Sequence, residues 1–318
     1  ERDRYEIRGV MGPDEYHDAY PDTQRAGLNN NAYTNVMAVW VLLRALELRE
    51  ILPGQRMAEL CELLDLSPDE FAQWEQISHR MHVPFHDNGI ISQFEGYEQL
   101  DEFDWDRYRH KYGDIERLDR ILEAENDSAN RYKVSKQADV LMLFYLFSAE
   151  ELGELLVHLG YRFEYDTIPS NVEYYLRRTS HGSSLSRLVN SWVLARSDRP
   201  GAWPLFIELL RSDINDIQHG TTPEGIHTGA MAGTVDLIQR CFTGIETRGD
   251  VLWLNPRLPK GLNSLTLNIH YREHLLGLHV TRTSARISTE PSTRKSIRIG
   301  ITGEIHELNA GEVREFQL

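Results

Sequence analysis

The hydrophobic period of this chain changes once, near Arg248, and that change limits the folds open to it. Before it, apolar residues fall at helical intervals or in short apolar runs preceded by capping residues. After it, several segments alternate, as in Leu265-Thr266-Leu267-Asn268-Ile269. A helix buries one stripe and a half-covered strand buries every second residue, so the two stretches call for different packing partners. The pattern predicts a mainly α region of seven or more helices over 1–247, followed by a small antiparallel β domain over 248–318.

Local signals place the elements. The asparagines at 29–31 cap a predicted helix over 32–52. Its run at 36–43 is apolar on all sides, which reads as a helix buried among others. Pro53-Gly54 ends it. Ser67-Pro68-Asp69-Glu70 and Ser148-Ala149-Glu150-Glu151 are capping boxes for helices to about 81 and 160. Ser135 reads as the cap of a helix reaching 147, and further helices are expected over 114–126, 183–196, 203–217 and 226–241. Residues 83–112 hold no helical period but many aromatic and acidic side chains, which reads as a long functional loop. Strands are expected at 251–254, 264–271, 275–282, 285–288, 296–301 and 313–318.

Composition excludes several classes. The formal net charge of -15 argues against nucleic acid and anionic membranes as partners, because both demand basic patches. No apolar run approaches the roughly 18 residues a membrane span needs. No signal peptide is visible, and two distant cysteines, Cys61 and Cys241, fit a reducing cytoplasm. The chain opens at Glu1, beside its most chemically suggestive motif, and the expectation is a fragment or trimmed product of a longer protein.

Five stretches carry candidate chemistry. Gly12-Pro13-Asp14-Glu15-Tyr16-His17 is a turn presenting carboxylates beside an aromatic ring. A carboxyl held partly desolvated there can act as general acid at a glycosidic oxygen, while a solvated acidic turn is the plainer reading. Ser180-His181-Gly182-Ser183-Ser184-Leu185-Ser186, after Arg177-Arg178, is either an anion site at a helix start or a serine-rich cap. Lys136-Gln137 reads as the first turn of a helix, where a cation is disfavoured unless it has a task such as contacting sugar hydroxyls. His227, in the small-residue stretch 222–233, is either an anion ligand or a hydrogen-bonded core histidine. His79, His82 and His86 lack a completing ligand, so no metal site is expected.

In order along the chain stand Gly-Val-Met-Gly-Pro-Asp-Glu-Tyr-His (9–17), Asn-Asn-Ala-Tyr-Thr-Asn (30–35), Lys-Gln-Ala-Asp-Val (136–140), His-Gly-Ser-Ser-Leu-Ser (181–186) and Glu-Gly-Ile-His-Thr-Gly-Ala-Met-Ala-Gly-Thr (224–234). Together they resemble glycoside hydrolase family 65, the family of maltose, trehalose, kojibiose and nigerose phosphorylases and some hydrolases. The resemblance implies part of an (α/α)6 barrel followed by a small antiparallel β-sandwich, with an N-terminal half of the same enzyme missing from this chain. It implies inverting phosphorolysis of an α-linked glucose disaccharide or α-glucoside to β-glucose 1-phosphate and a free sugar. Inorganic phosphate is then the co-substrate, with no cofactor, and a homodimer is an expectation. By motif, Glu15 is implied as the general acid, Lys136 and Gln137 as contacts to the transferred glucose, and His181, Gly182, Ser183, Ser184 and His227 as the phosphate site. An inverting trehalose-type hydrolase and an inactive sugar-binding fragment stay open beside this. One departure is visible: Gly27-Leu28-Asn29 stands where the family often has an Asp before its paired asparagines, which puts acceptor contacts in question.

Overall fold

A computed structural model describes residues 3–21, 23, 25–87, 89–164, 166–182, 184–197, 199–215 and 225–318. Ser183 and positions 222–224 of the His227 motif lie outside the described residues. The chain divides into two compact units, 1–189 and 190–318. Eleven α-helices and a C-terminal β region are present among the described residues, so the mainly α chain with a terminal β domain is what forms.

The first unit opens with a short antiparallel ladder of β1 (Arg8–Val10) and β2 (Leu28–Asn29). Then follow α1 (Ala32–Ile51), α2 (Gly54–Leu64) and α3 (Pro68–Arg80). Asn31 caps α1 by accepting from the Thr34 N–H, and Ser67 caps α3 the same way through Glu70. Only one face of α1 is buried, against α3 and the later helices at Asp139–Leu146 and Ala149–His158; Val41, Leu48 and Ile51 are exposed, contrary to the expectation of burial on all sides. The apolar run therefore overstates how many neighbours the helix has among the described residues.

The stretch 83–112 is more ordered than expected. It contains the hairpin of β3 (Phe85–His86) and β4 (Ile90–Ile91), a 3-10 turn at Tyr97–Gln99, and α4 (Trp105–Tyr112). Phe94, Tyr97, Phe103 and Tyr108 are core residues and not an exposed binding loop. Their rings stack edge-on and tilted, as in Phe103 against Tyr108 with centroids 4.5 Å apart, so aromatic packing replaces helical periodicity as the organising signal. Next come α5 (Leu118–Ala124), α6 (Asp139–Leu146), α7 (Ala149–His158) and α8 (Thr167–Leu176). The Ser148–Glu151 capping box at α7 forms reciprocally. Ser135 does not cap α6; its hydroxyl pairs with Thr179 Oγ1 at 3.0 Å, and Ala138 is the residue before the helix. α9 (Ser184–Ser197) leads into the second unit.

The second unit continues with α10 (Arg199–Asn215) and α11 (Thr228–Leu237), the latter running into a π-helical turn at Ile238–Phe242. The strands are β5 (Glu246–Arg248), β6 (Val251–Leu254), β7 (Ser264–Tyr271), β8 (His274–Thr281), β9 (Ser284–Thr289), β10 (Ile297–Ile301), β11 (Glu304–Leu308) and β12 (Val313–Gln317). They form two four-stranded sheets, in the orders β11-β10-β6-β5 and β12-β9-β8-β7. All neighbours are antiparallel except β6 and β10, which run parallel. The chain builds three strands of the other sheet between these two, so β10 returns beside β6 in the same direction. Leu252, Leu254, Leu276, Leu278, Val280, Ile287, Ile297, Ile299 and Ile301 share one core between the sheets. Each such side chain, fully buried, contributes roughly 1.5–3 kcal/mol.

Candidate active site

The Gly12–His17 turn is held by the residues on either side of Glu15. Asp14 is 3% exposed. Its Oδ1 accepts the backbone N–H of Lys136 at 2.7 Å and of Gln137 at 2.8 Å, and its Oδ2 accepts from Gln93 Nε2 at 2.8 Å. Three donors on one buried carboxylate satisfy a group that would otherwise be costly to desolvate. Tyr16 lies in the core formed with Phe103, Tyr108 and Leu118, and its hydroxyl meets Ser180 Oγ at 2.9 Å. His17 turns inward as well, with Nε2 2.9 Å from the Tyr132 carbonyl oxygen.

Glu15 itself faces outward. Its side chain is 65% exposed, and its backbone sits at φ +64°, a left-handed conformation that side chains other than glycine adopt at a cost. Lys136 Nζ is 3.4 Å from Glu15 Oε2. The expected acid and the expected sugar-contacting lysine are thus brought together. The desolvation expected of the acid is not supplied by the described residues. Lys136 and Gln137 precede α6 and are not its first turn. Gln137 is buried, with its main chain tied to Asp14.

A second layer lies beneath the turn. The Asp14 N–H donates to Asp139 Oδ1 at 2.7 Å, and Asn31 Nδ2 donates to Asp139 Oδ2 at 2.6 Å. Gly12 packs so tightly there that a Cβ would lie 1.8 Å from Asp139 Oδ2. Burial, followed by the charge of Asp14, holds the Asp139 carboxyl well above its ordinary range. Asp139, Asn31 and Gln93 were not named as site residues in the sequence, although Asn31 and Asp139 fall inside two of the quoted motifs, 30–35 and 136–140.

The 180–186 stretch carries its own strain. His181 stands at φ +58°. Burial, reinforced by Arg187 and Arg109, brings its imidazole down to about 4, and Nδ1 lies 3.2 Å from Ser186 Oγ. Gly182 passes so close to the Glu116 carbonyl that a Cβ would lie 2.1 Å from that oxygen. Arg187 is buried below, its Nη2 2.6 Å from Glu116 Oε1. Ser184 is buried at the first residue of α9. Tyr16 links this stretch to the acid turn through Ser180.

His227, in the second unit, is paired with Asp213: Nδ1 lies 2.6 Å from Oδ1, and the His227 N–H donates to Oδ2 at 3.1 Å. The other ring nitrogen, Nε2, is the one left for a ligand. The three histidines near 79–86 diverge. His79 stacks on His158 at 3.8 Å, His82 meets the Tyr161 hydroxyl at 3.4 Å, and His86 meets Ser92 Oγ at 2.7 Å. Among the described residues no three His, Cys, Asp or Glu side chains are grouped to hold a metal ion. Among them, too, no helix is long and apolar enough to cross a membrane.

Comparison with known proteins agrees with this arrangement of motifs. Residues 1–236 match the model of the glycosyl hydrolase family 65 central catalytic domain, and residues 245–308 match that of the family's C-terminal domain. An uncharacterized glycosyl hydrolase of Mycobacterium tuberculosis is 54% identical over 314 residues, covering 99% of this chain and 24% of that protein. The trehalose 6-phosphate phosphorylase of Lactococcus lactis is 40% identical over 270 residues, covering 85% of this chain and 34% of that protein. Among solved structures, a putative kojibiose phosphorylase from the human microbiome superposes with a TM-score of 0.77 at 24% identity, covering 99% of this chain and 42% of that one. The chain therefore spans between about a quarter and about two fifths of the length of these relatives. With both family models matched along most of its length, the chain belongs to glycosyl hydrolase family 65.

Proposed function

We propose that the chain carries the general acid of an enzyme that phosphorolyses an α-linked glucose disaccharide or α-glucoside with inversion. The observation that carries this reading is Glu15, presented on a strained turn with Lys136 Nζ 3.4 Å away while its neighbours are buried. As the C1–O bond breaks, the Glu15 carboxyl gives its proton to the leaving oxygen. A phosphate oxygen forms the new bond to C1 from the opposite face. The products are β-glucose 1-phosphate and a free sugar. Lys136 and Gln137 contact the transferred glucose. His181, Gly182, Ser183 and Ser184 receive the phosphate; His227, in the second unit, is assigned to phosphate by its motif alone. The low His181 value keeps this imidazole neutral at physiological pH, so it offers phosphate a hydrogen bond and not a full charge. The reaction so written uses phosphate as co-substrate and asks for no metal or organic cofactor. The helical part, 1–247, belongs to an (α/α)6 barrel and 248–318 is its β appendage; the enzyme works in the cytoplasm.

Phosphorolysis is favoured over hydrolysis because the His181–Gly182 turn adjoins the acid turn through Ser180, whereas an inverting hydrolase needs a second carboxylate as base. The test uses the full-length protein with trehalose, trehalose 6-phosphate, kojibiose and maltose, each with and without phosphate. Turnover that requires phosphate and releases β-glucose 1-phosphate is expected, with Glu15→Gln lowering it at least about 100-fold. Equal rates without phosphate would assign hydrolysis instead.

A further inference from the structure

We infer that Asp14 and Asp139 are positioning residues that lock the general-acid turn to the sugar-contacting segment, so that Glu15, Lys136 and Gln137 are placed as one unit. The inference rests on the reading of Glu15 as the acid. It starts from the hydrogen bonds that flank Glu15. Residue 14 gives its N–H to Asp139 and takes two consecutive N–H groups, of Lys136 and Gln137, on one carboxylate oxygen. Residue 12 is pressed against the same Asp139 oxygen that Asn31 approaches. The turn is therefore pinned at positions 12 and 14, immediately before the left-handed Glu15. A strained φ persists only where the surroundings over-determine it. Asp139 supplies that constraint from below, and Asp14 transmits it to the segment that carries Lys136. Gln93 completes the clamp, giving Nε2 to Asp14 and taking the Asp139 N–H on Oε1 at 3.3 Å. Asn31 is itself fixed, because its Oδ1 caps α1. The clamp is thus built on two helix starts, α1 and α6, separated by more than a hundred residues in sequence.

A residue acting through Glu15 has a signature that a purely structural one lacks. It matters when the leaving oxygen must be protonated and matters little when the leaving group departs unaided. α-Glucosyl fluoride is such a substrate: its C1–F bond breaks, phosphate bonds to C1, and fluoride leaves as the anion. In the full-length protein, Asp139→Ala is expected to lower kcat for the disaccharide about 100-fold, as a misplaced group does, but kcat for α-glucosyl fluoride under about fivefold. Asp139→Asn, which keeps an oxygen for the Asp14 N–H, recovers at least about tenfold of the loss. Glu15→Gln, assayed beside them, loses disaccharide turnover and keeps fluoride turnover; if it keeps both, the acid assignment itself fails. With that assignment standing, equal losses on the two substrates, or no loss, overturn the positioning role. Should Asp139→Ala not fold, Asp14→Asn is read by the same two-substrate ratio, and an unchanged ratio overturns the inference.

Discussion

Glu15 and His181 stand in left-handed backbone, at φ +64° and +58°, in the two stretches the proposed reaction uses. Each costs of order 1–3 kcal/mol, which the surrounding contacts must offset. The turns that hold them are tight on both sides: Gly12 lies against Asp139 and Gly182 against the Glu116 carbonyl, positions where a methyl group has no room. Strain and close approach at the same two loops fit a preorganised site better than a solvated acidic turn and a serine-rich cap. His227 shows a gentler form of the same arrangement. Asp213 fixes its ring through Nδ1 and its main chain through Oδ2, so Nε2 is aimed by a carboxylate. If His227 receives phosphate, Asp213→Asn in the full-length enzyme is expected to raise KM for phosphate about tenfold while leaving KM for the sugar unchanged. Initial rates over a phosphate series measure this, and a sugar KM that rises in parallel would place Asp213 in general folding and not in phosphate binding.

At the level of elements, capping chemistry was the most readable signal. Asn31, Ser67 and Ser148 each accept an N–H of the helix they start, but of the two expected capping boxes only the one at Ser148 is reciprocal. These bonds depend on residues three apart, so local sequence contains all that they need. Three helices escaped notice, and of these only α4 has a side-chain cap, Asp104 accepting the Arg107 N–H. α2 begins at Gly54 directly after Pro53, a pair that reads as a stop, and it buries no residue fully. α4 is almost wholly polar, and α8 has no side-chain cap bond. β5 and β11 were also missed, being short edge strands with exposed faces. Ser135 shows the converse error: a good capping residue taken for a cap, although tertiary pairing with Thr179 claims its hydroxyl. For Ser148 the local reading has an energetic consequence. Ser148→Ala removes the Oγ half of the capping box at α7, the bond from the Glu151 N–H, leaves the Ser148 N–H bond to Glu151 Oε2, and is expected to cost about 1 kcal/mol. Urea denaturation with an unchanged m-value would measure it, and a loss below a few tenths would mean that the exposed α7 start frays regardless.

For the whole molecule, what the sequence revealed and what it concealed divide by range. The helix-to-strand change near Arg248 needs only neighbouring residues, and it is present. Glu15 and Lys136 were picked out through motif order, yet the clamp beneath them joins residues 12, 14, 31, 93, 136, 137 and 139, which no local window contains. Carboxyls of the folded chain also make stability depend on pH in opposing senses. Glu102, where Arg178 and Lys133 outweigh the upward push of burial, and Asp119, where Arg117 does so, are held low. Their contribution is present above their unfolded values and is lost as pH falls. Asp139 has the reverse sign. Burial and the Asp14 charge hold it high, with Tyr33 and Tyr175 as the nearby titratable neighbours. The folded chain keeps a proton that the unfolded chain releases near pH 3.9, about the free aspartate value. Its contribution is complete below that pH and declines as pH rises toward the folded value, by about 1.4 kcal/mol per unit within that window. Asp139→Asn removes this slope while adding a constant offset for its altered hydrogen bonds. Thermal melts of parent and variant from pH 5 upward are therefore expected to diverge in favour of the variant as pH rises; a gap that stays constant would mean that Asp139 holds no proton in the folded state.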